Sequence, residues 1–149
     1  MSKQAVLVSV SSVQEDQGAR SATRREHLGW RHRQPDGAYL LFDDEGTRTT
    51  IKLLPEEVRI YRRGLLNGWQ YHRLAELTGG LLALGEGPRG EMVLRVQTRA
   101  LSWVDDDSTG RLCLVYDLFS ADAPEPDSEP ETLSLGRFTL DLAWSLVQT

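Results

Sequence analysis

A chain of 149 residues, 40% of them apolar and with a formal charge of −5, is long enough for one domain with a sizeable core and too apolar for global disorder. Its single cysteine, Cys113, rules out an internal disulfide and fits a reducing compartment. No apolar run is long enough for a signal peptide or a membrane-spanning helix, so a cytoplasmic location without a membrane partner is expected.

In chain order the dominant pattern has period two, the mark of half-buried strands. In AVLVSVSSV, Val6, Val8 and Val10 alternate with Leu7, Ser9 and Ser11; in RREHLGWRHRQ, Leu28 and Trp30 oppose His27, Gly29 and Arg31. Pro35–Asp36–Gly37 supplies turn chemistry before AYLLFDDEG, and the β-branched TRTTIKLL follows. Pro55 and two glutamates lead into VRIYRRG and then LLNGWQYHRL. Residues 75–90 are the hardest to read, with a short strand around Leu81–Leu84 or a helical turn before Gly79 as alternatives. EMVLRVQTRALSWV and RLCLVYDLF are strands joined by the turn DDDSTG, and TLSLGRFTLDLAWSLV is the last strand. Between the final two, residues 120–131 combine prolines with acids and read as a mobile hairpin loop.

Eight to ten strands with short connections must run antiparallel, because a parallel crossover needs about a dozen residues. The expected fold is all-β, a single-domain antiparallel up-and-down barrel; closure protects the sheet edges, and a stacked sandwich is the alternative.

The order of four segments resembles a known group. GWRHRQPDGAYLLFDDEG, TTIKLLPEEVRIYRRG, GEMVLRVQTRALS and GRLCLVYDL are similar to the YwiB-like family, small bacterial proteins of unknown function. The resemblance covers most of the chain and implies a calycin-like, or lipocalin-like, β-barrel. It departs from the family at His27, where an aromatic is usual, and in residues 75–90, which lack an expected aromatic. The family carries no established activity, so the resemblance transfers no catalytic residue and no cofactor.

The residues themselves offer little chemistry. GEGPRG (85–90) matches a dinucleotide-type glycine pattern but precedes an alternating strand and contains Pro88, so it reads as a hairpin loop. His27 and His32 fall on opposite faces of one strand, an unpromising metal pair. The consecutive acids Asp43–Glu45 and Asp105–Asp107 read as solvated hairpin tips, and Cys113 as a small buried hydrophobe. No nucleophile, zinc or phosphate-loop motif is present, so the chain is not expected to be an enzyme and no cofactor is called.

Charge is unevenly spread. Residues 1–75 hold 12 Lys/Arg against 9 Asp/Glu, and residues 76–149 hold 5 against 13. The acidic half argues against a nucleic-acid partner, while the arginine-rich strands could dock an acidic surface or pair with a second copy.

Assigning faces by the apolar majority sends Leu28 and Trp30 inward, and Glu26 with them. Val58 and Ile60 carry Arg62 inward, Met92, Leu94 and Val96 carry Thr98, and Leu112 and Leu114 carry Tyr116 and Leu118. Trp69, Tyr71 and Arg73 share one face of their segment. On the last strand Leu133 and Leu135 conflict in phase with Phe138, Leu140, Leu142 and Trp144, which suggests a bulge near Gly136. The inward rows thus start apolar and end polar. They define a candidate mouth of Glu26, Arg62, Trp69, Tyr71, Thr98 and Tyr116, with Glu26 the first choice of partner for Arg62. A packed interior and a pocket for one small, partly apolar or anionic ligand are both compatible with a barrel of this size. An interaction module working through the arginine-rich face is the alternative function.

Overall fold

The structure, a computed structural model, describes residues 3–84, 91–121 and 132–147. These form ten strands: β1 (Lys3–Asp16), β2 (Ala19–Gln34), β3 (Gly37–Asp44), β4 (Thr47–Leu54), β5 (Glu57–Gly64), β6 (Leu66–His72), β7 (Leu77–Leu84), β8 (Glu91–Asp105), β9 (Thr109–Ala121) and β10 (Thr132–Leu146). Each strand pairs with its sequence neighbours and β1 pairs with β10, so the sheet closes into an antiparallel up-and-down barrel. Among the described residues there is no helix. Of the two alternatives for residues 75–84, the strand is the one formed. Of the loop expected over 120–131, residues 120 and 121 continue β9; its remainder and the loop expected over 85–90 lie outside the described residues.

Side-chain alternation fills the barrel. Val6, Val8, Leu40, Ile51, Leu53, Val58, Ile60, Leu94, Val96, Leu112, Leu114 and Leu142 are all at most 1% exposed, and each contributes about 1.5–3 kcal/mol on burial. The bulge expected near Gly136 is present: the β9–β10 register shifts between Ser134 and Gly136. It places Leu142 and Trp144 in the core cluster with the partly buried Phe138 and Leu140 packed against it, and leaves Arg137 exposed outside, ion-paired to Asp117 at 2.8 Å.

The phase of β2 is the reverse of the one expected. Gln17 and Gly18 both have positive φ, 49° and 82°, as a two-residue type I′ turn requires. That turn pairs Val10 with Arg25, Val8 with His27 and Val6 with Gly29. Directly opposed residues share a face, so the inward valines of β1 draw Arg25, His27, Gly29 and Arg31 inside. Leu28 and Trp30 are consequently outside, 68% and 49% exposed, and Glu26 faces solvent with them. Cys113 also faces outward, half-buried, with Sγ 3.8 Å from Asp141 Oδ1, rather than packing in the core.

One end of the barrel is closed by Arg31, which has no solvent exposure. Its guanidinium donates to Gln4 Oε1 at 2.6 and 3.1 Å, to Asp105 Oδ1 at 2.9 Å, and to the carbonyls of Asp106 and Asp107 at 2.8 and 2.7 Å. Trp144 Nε1 donates to the same Asp105 oxygen at 2.9 Å. Asp105, expected at a solvated tip, is therefore a buried counter-charge, its side chain 5% exposed.

Candidate functional site

The opposite end is built differently. Val58 and Ile60 hold their strand with alternate residues inward, and Arg62 follows two positions from the end of β5. The β5–β6 ladder pairs Val58 with His72, Ile60 with Gln70 and Arg62 with Gly68. Gln70 and His72 therefore point inward beside Arg62, and Gly68 lies directly across from it.

Arg62 Nη1 donates to Gln70 Oε1 at 2.8 Å, and the Gln70 amide favours the ionised form of the Tyr116 phenol. The Tyr116 ring lies 4.6 Å from His72 and stacks on Phe138 at 5.4 Å and 10°. His72 Nδ1 is 3.1 Å from Thr98 Oγ1. His72 Nε2 is buried with no hydrogen-bond partner. Five side chains from four strands thus form one polar chain in the barrel interior.

The electrostatics follow from desolvation. Burial, aided by the Arg62 charge, pushes the His72 imidazole down to about 3, so it is neutral. Burial raises the Tyr116 phenol, with Arg62 and Gln70 pulling the other way. Arg62 itself is lowered by burial, partly offset by Tyr116. No carboxylate among the described residues pairs with Arg62. Its head group is surrounded by protein yet keeps some accessible surface, because it borders a cavity of about 320 Å³.

That cavity occupies the upper interior. Val10, Phe42, Ile51, Ile60, Leu140 and Leu142 form its apolar walls, and Ser12, Thr23, Arg25, Asp44, Thr49 and Arg62 its polar groups. It borders a seam in the sheet, since β2 pairs with β3 only from Gly29–Phe42 to Gln34–Gly37. Above that point Arg25 bridges the seam, ion-paired at 3.0 Å to both Asp44 and Glu45. His27 stacks on Phe42 at 5.3 Å, with Nε2 3.8 Å from Asp44 Oδ2. A larger concavity of about 720 Å³ lies elsewhere, between the β1–β2 turn and β9–β10. Asp117 there is already held by Arg99 and Arg137 at 2.8 Å each, and an open groove screens charge that an interior cavity does not. The interior is the more selective site.

Of the six expected mouth residues, Arg62, Thr98 and Tyr116 come together. Glu26 does not: the β1–β2 register puts it on the outer surface opposite Ser9, so it cannot be the partner of Arg62. Trp69 and Tyr71 are also outside, because inward Gln70 and His72 fix the parity of β6. They pack on each other at 4.7 Å, with Tyr61 edge-on to Tyr71 at 6.2 Å and Arg59 stacked over Tyr71 at 4.8 Å. This outer cluster satisfies its own aromatic surface. Gln70, His72, Arg25 and Asp44 were not anticipated. The first two were legible once Arg62 was placed inward, since a tight hairpin preserves the face of paired residues. Arg25 required the Gln17–Gly18 turn.

A closed antiparallel barrel with a greasy lower core and a polar-lined cavity above defines a calycin-like protein. The family model for a domain of unknown function, DUF1934, matches residues 8–129, and the chain belongs to that YwiB-like family. The crystal structure of ywiB protein from Bacillus subtilis shares the fold at a TM-score of 0.78 and 17% identity, over 98% of this chain and 94% of that one. No curated protein matches the chain. Among the described residues, no helix is long and apolar enough to cross a membrane.

Proposed function

We propose that the barrel is a binding protein for a small, partly apolar anion, whose carboxylate or phosphate end is met by Arg62. One observation carries the reading. Arg62 is a desolvated cation without a carboxylate partner among the described residues, and it borders a cavity of about 320 Å³ with apolar walls. A buried charge costs several kcal/mol unless compensated, and an anion placed against it would supply the missing charge while its apolar part covers Phe42, Ile51 and Leu140. Arginine suits the task because its planar fork takes carboxylate or phosphate oxygens two at a time. Gln70 holds one Nη in place and leaves the rest of the fork for the ligand.

Binding rather than catalysis fits the chemistry of the polar chain. His72 is held neutral and its Nδ1 is engaged by Thr98, so it is poorly placed as a general base near pH 7. Native mass spectrometry of protein purified from its own host should show a co-bound mass. With octanoate and phenyl phosphate as probes, the wild type should gain thermal stability and Arg62→Met should not. A bare-chain mass, together with equal stabilisation of both proteins, would overturn the assignment.

A further inference from the structure

Among the described residues, the seam that borders the cavity leaves one edge of part of β2 without a β-partner. Ala19–Leu28 of β2 pairs with β1, whereas the described β2–β3 ladder starts only at Gly29. All eight residues from Ala19 to Glu26 are exposed, and along the second edge of this stretch the Arg25 side chain alone reaches across the seam, to Asp44 and Glu45, among the described ion pairs. Every other backbone N–H and C=O along that edge is available for a ladder. The side chains are as distinctive as the backbone. Residues 19–28 carry Arg20, Arg24 and Arg25 against Glu26 alone, a balance of +2. Arg25 is held by Asp44 and Glu45 on the inner side. Arg20 and Arg24 lie on the outer face, opposite Glu15 and Ser11, and neither is in an ion pair within the described residues.

We propose that the β2 edge over Ala19–Glu26 is a docking strand for an extended acidic segment of a partner protein, which adds to the sheet as a further strand. The reading is independent of whether the cavity takes a small molecule. Main-chain hydrogen bonds supply affinity in this mode and alternate side chains supply selectivity. Acids on the incoming strand face Arg20 and Arg24, two outward positions with Ala22 between them. Like charges directly across a ladder repel, so a basic strand is refused. A second copy is a poorer occupant: pairing two β2 edges would gather twice the +2 balance of residues 19–28 in one ladder. The opposing explanation is that the arginines only guard an exposed edge against pairing.

The test uses the whole chain and a labelled short peptide of alternating Thr and Val, with Glu at the positions facing Arg20 and Arg24. A backbone N-methylated peptide of the same sequence keeps the charge and loses the ladder. The unmodified peptide should bind, measured by fluorescence anisotropy, more weakly as salt rises, and should slow amide exchange across 19–26. Arg20→Gln with Arg24→Gln, both exposed and placing no acid opposite Glu15, should weaken binding about tenfold or more at nearly unchanged melting temperature. Equal binding of the N-methylated peptide would reduce the effect to charge attraction and overturn the docking strand. Absence of binding would leave the arginines as edge guards. Slowed exchange at 19–26 in the chain alone, with a doubled solution mass, would give the edge to a second copy.

Discussion

Two arginines point into the same barrel, and their surroundings differ in kind. Arg31, at the closed end, donates five hydrogen bonds and meets the buried carboxylate of Asp105. Arg62, towards the open end, donates one side-chain hydrogen bond among the described residues, to Gln70, and borders a cavity. A buried cation whose donors are all used is part of the scaffold. One whose donors face a cavity is free to recognise something else. Burial alone would rank Arg31 first, and it is the unspent hydrogen-bonding capacity of Arg62 that marks the site.

The largest way to break this contrast is Arg31→Met. It removes the fully buried partner of Asp105 and leaves that carboxylate to the half-exposed Arg33, at 3.1 Å, and to Trp144 Nε1; losing one partner of a buried pair costs about 3–5 kcal/mol, and urea unfolding should report a loss toward the low end of that range. Gly110→Ala comes next. A Cβ there would stand 2.1 Å from Trp144 Cε2, and overpacking of this kind costs about 1–3 kcal/mol.

The third test uses pH. His72 is near 3 in the folded protein and has an ordinary value of 6.5 unfolded. Between those values the unfolded chain binds the extra proton, so stability rises with pH and is lost as pH falls from 6.5 toward 3. A single proton gives a slope of at most about 1.4 kcal/mol per pH unit. His72→Gln should flatten the melting-temperature profile below pH 6.5, and an unchanged profile would mean that His72 is not buried neutral.

Arg62→Met sharpens the comparison from the other side. It removes an uncompensated buried charge and leaves Gln70 Oε1 short of a donor, two opposed effects of similar size. The ligand-free protein should stay within about 1 kcal/mol of wild type by urea unfolding, in contrast to Arg31→Met. A loss as large as that of Arg31→Met would show that the two sites are alike and that Arg62 is structural. The smallest effect belongs to Arg25→Gln at the seam, whose pair with Asp44 is 45% and 34% exposed. It should shift stability by less than about 1 kcal/mol, read from the same unfolding curves.

Much of the barrel was legible, and the failures share one cause. Period-two rows with several aliphatic residues, such as Val58–Ile60, Leu94–Val96 and Leu112–Leu114, declared their inner face correctly. Arg62, Thr98 and Tyr116 followed by parity. In β2 the rule failed because Leu28 and Trp30 are the most apolar residues of a strand whose inner positions are Arg25, His27, Gly29 and Arg31. In β6 it failed because Trp69 and Tyr71 are more apolar than Gln70 and His72, yet the aromatics cover one another outside. Where the inner row is polar, hydrophobicity points the wrong way, and only the hairpin register corrects it. The Gln17–Gly18 turn lacks the Asn-Gly or Asp-Gly signature that would have announced that register. Asp105 was misread for a related reason: a run of acids next to a turn looks solvated until a distant arginine is folded onto it.

By itself the amino-acid sequence determined that this is an all-β antiparallel sheet, because alternation and short turns act between near neighbours and leave few topologies; the pairing of β1 with β10, which closes a barrel in place of a stacked sandwich, came from the structure. The sequence also determined the burial of Arg62, whose row contains Val58 and Ile60. Only the tertiary structure decided that Arg31 is neutralised and Arg62 is not, that Glu26 is outside, and that a cavity stands where the β2–β3 ladder stops. Those outcomes depend on register and closure, which bring together residues as far apart as Arg31 and Asp105, and a strand carries no local record of the partner across the barrel.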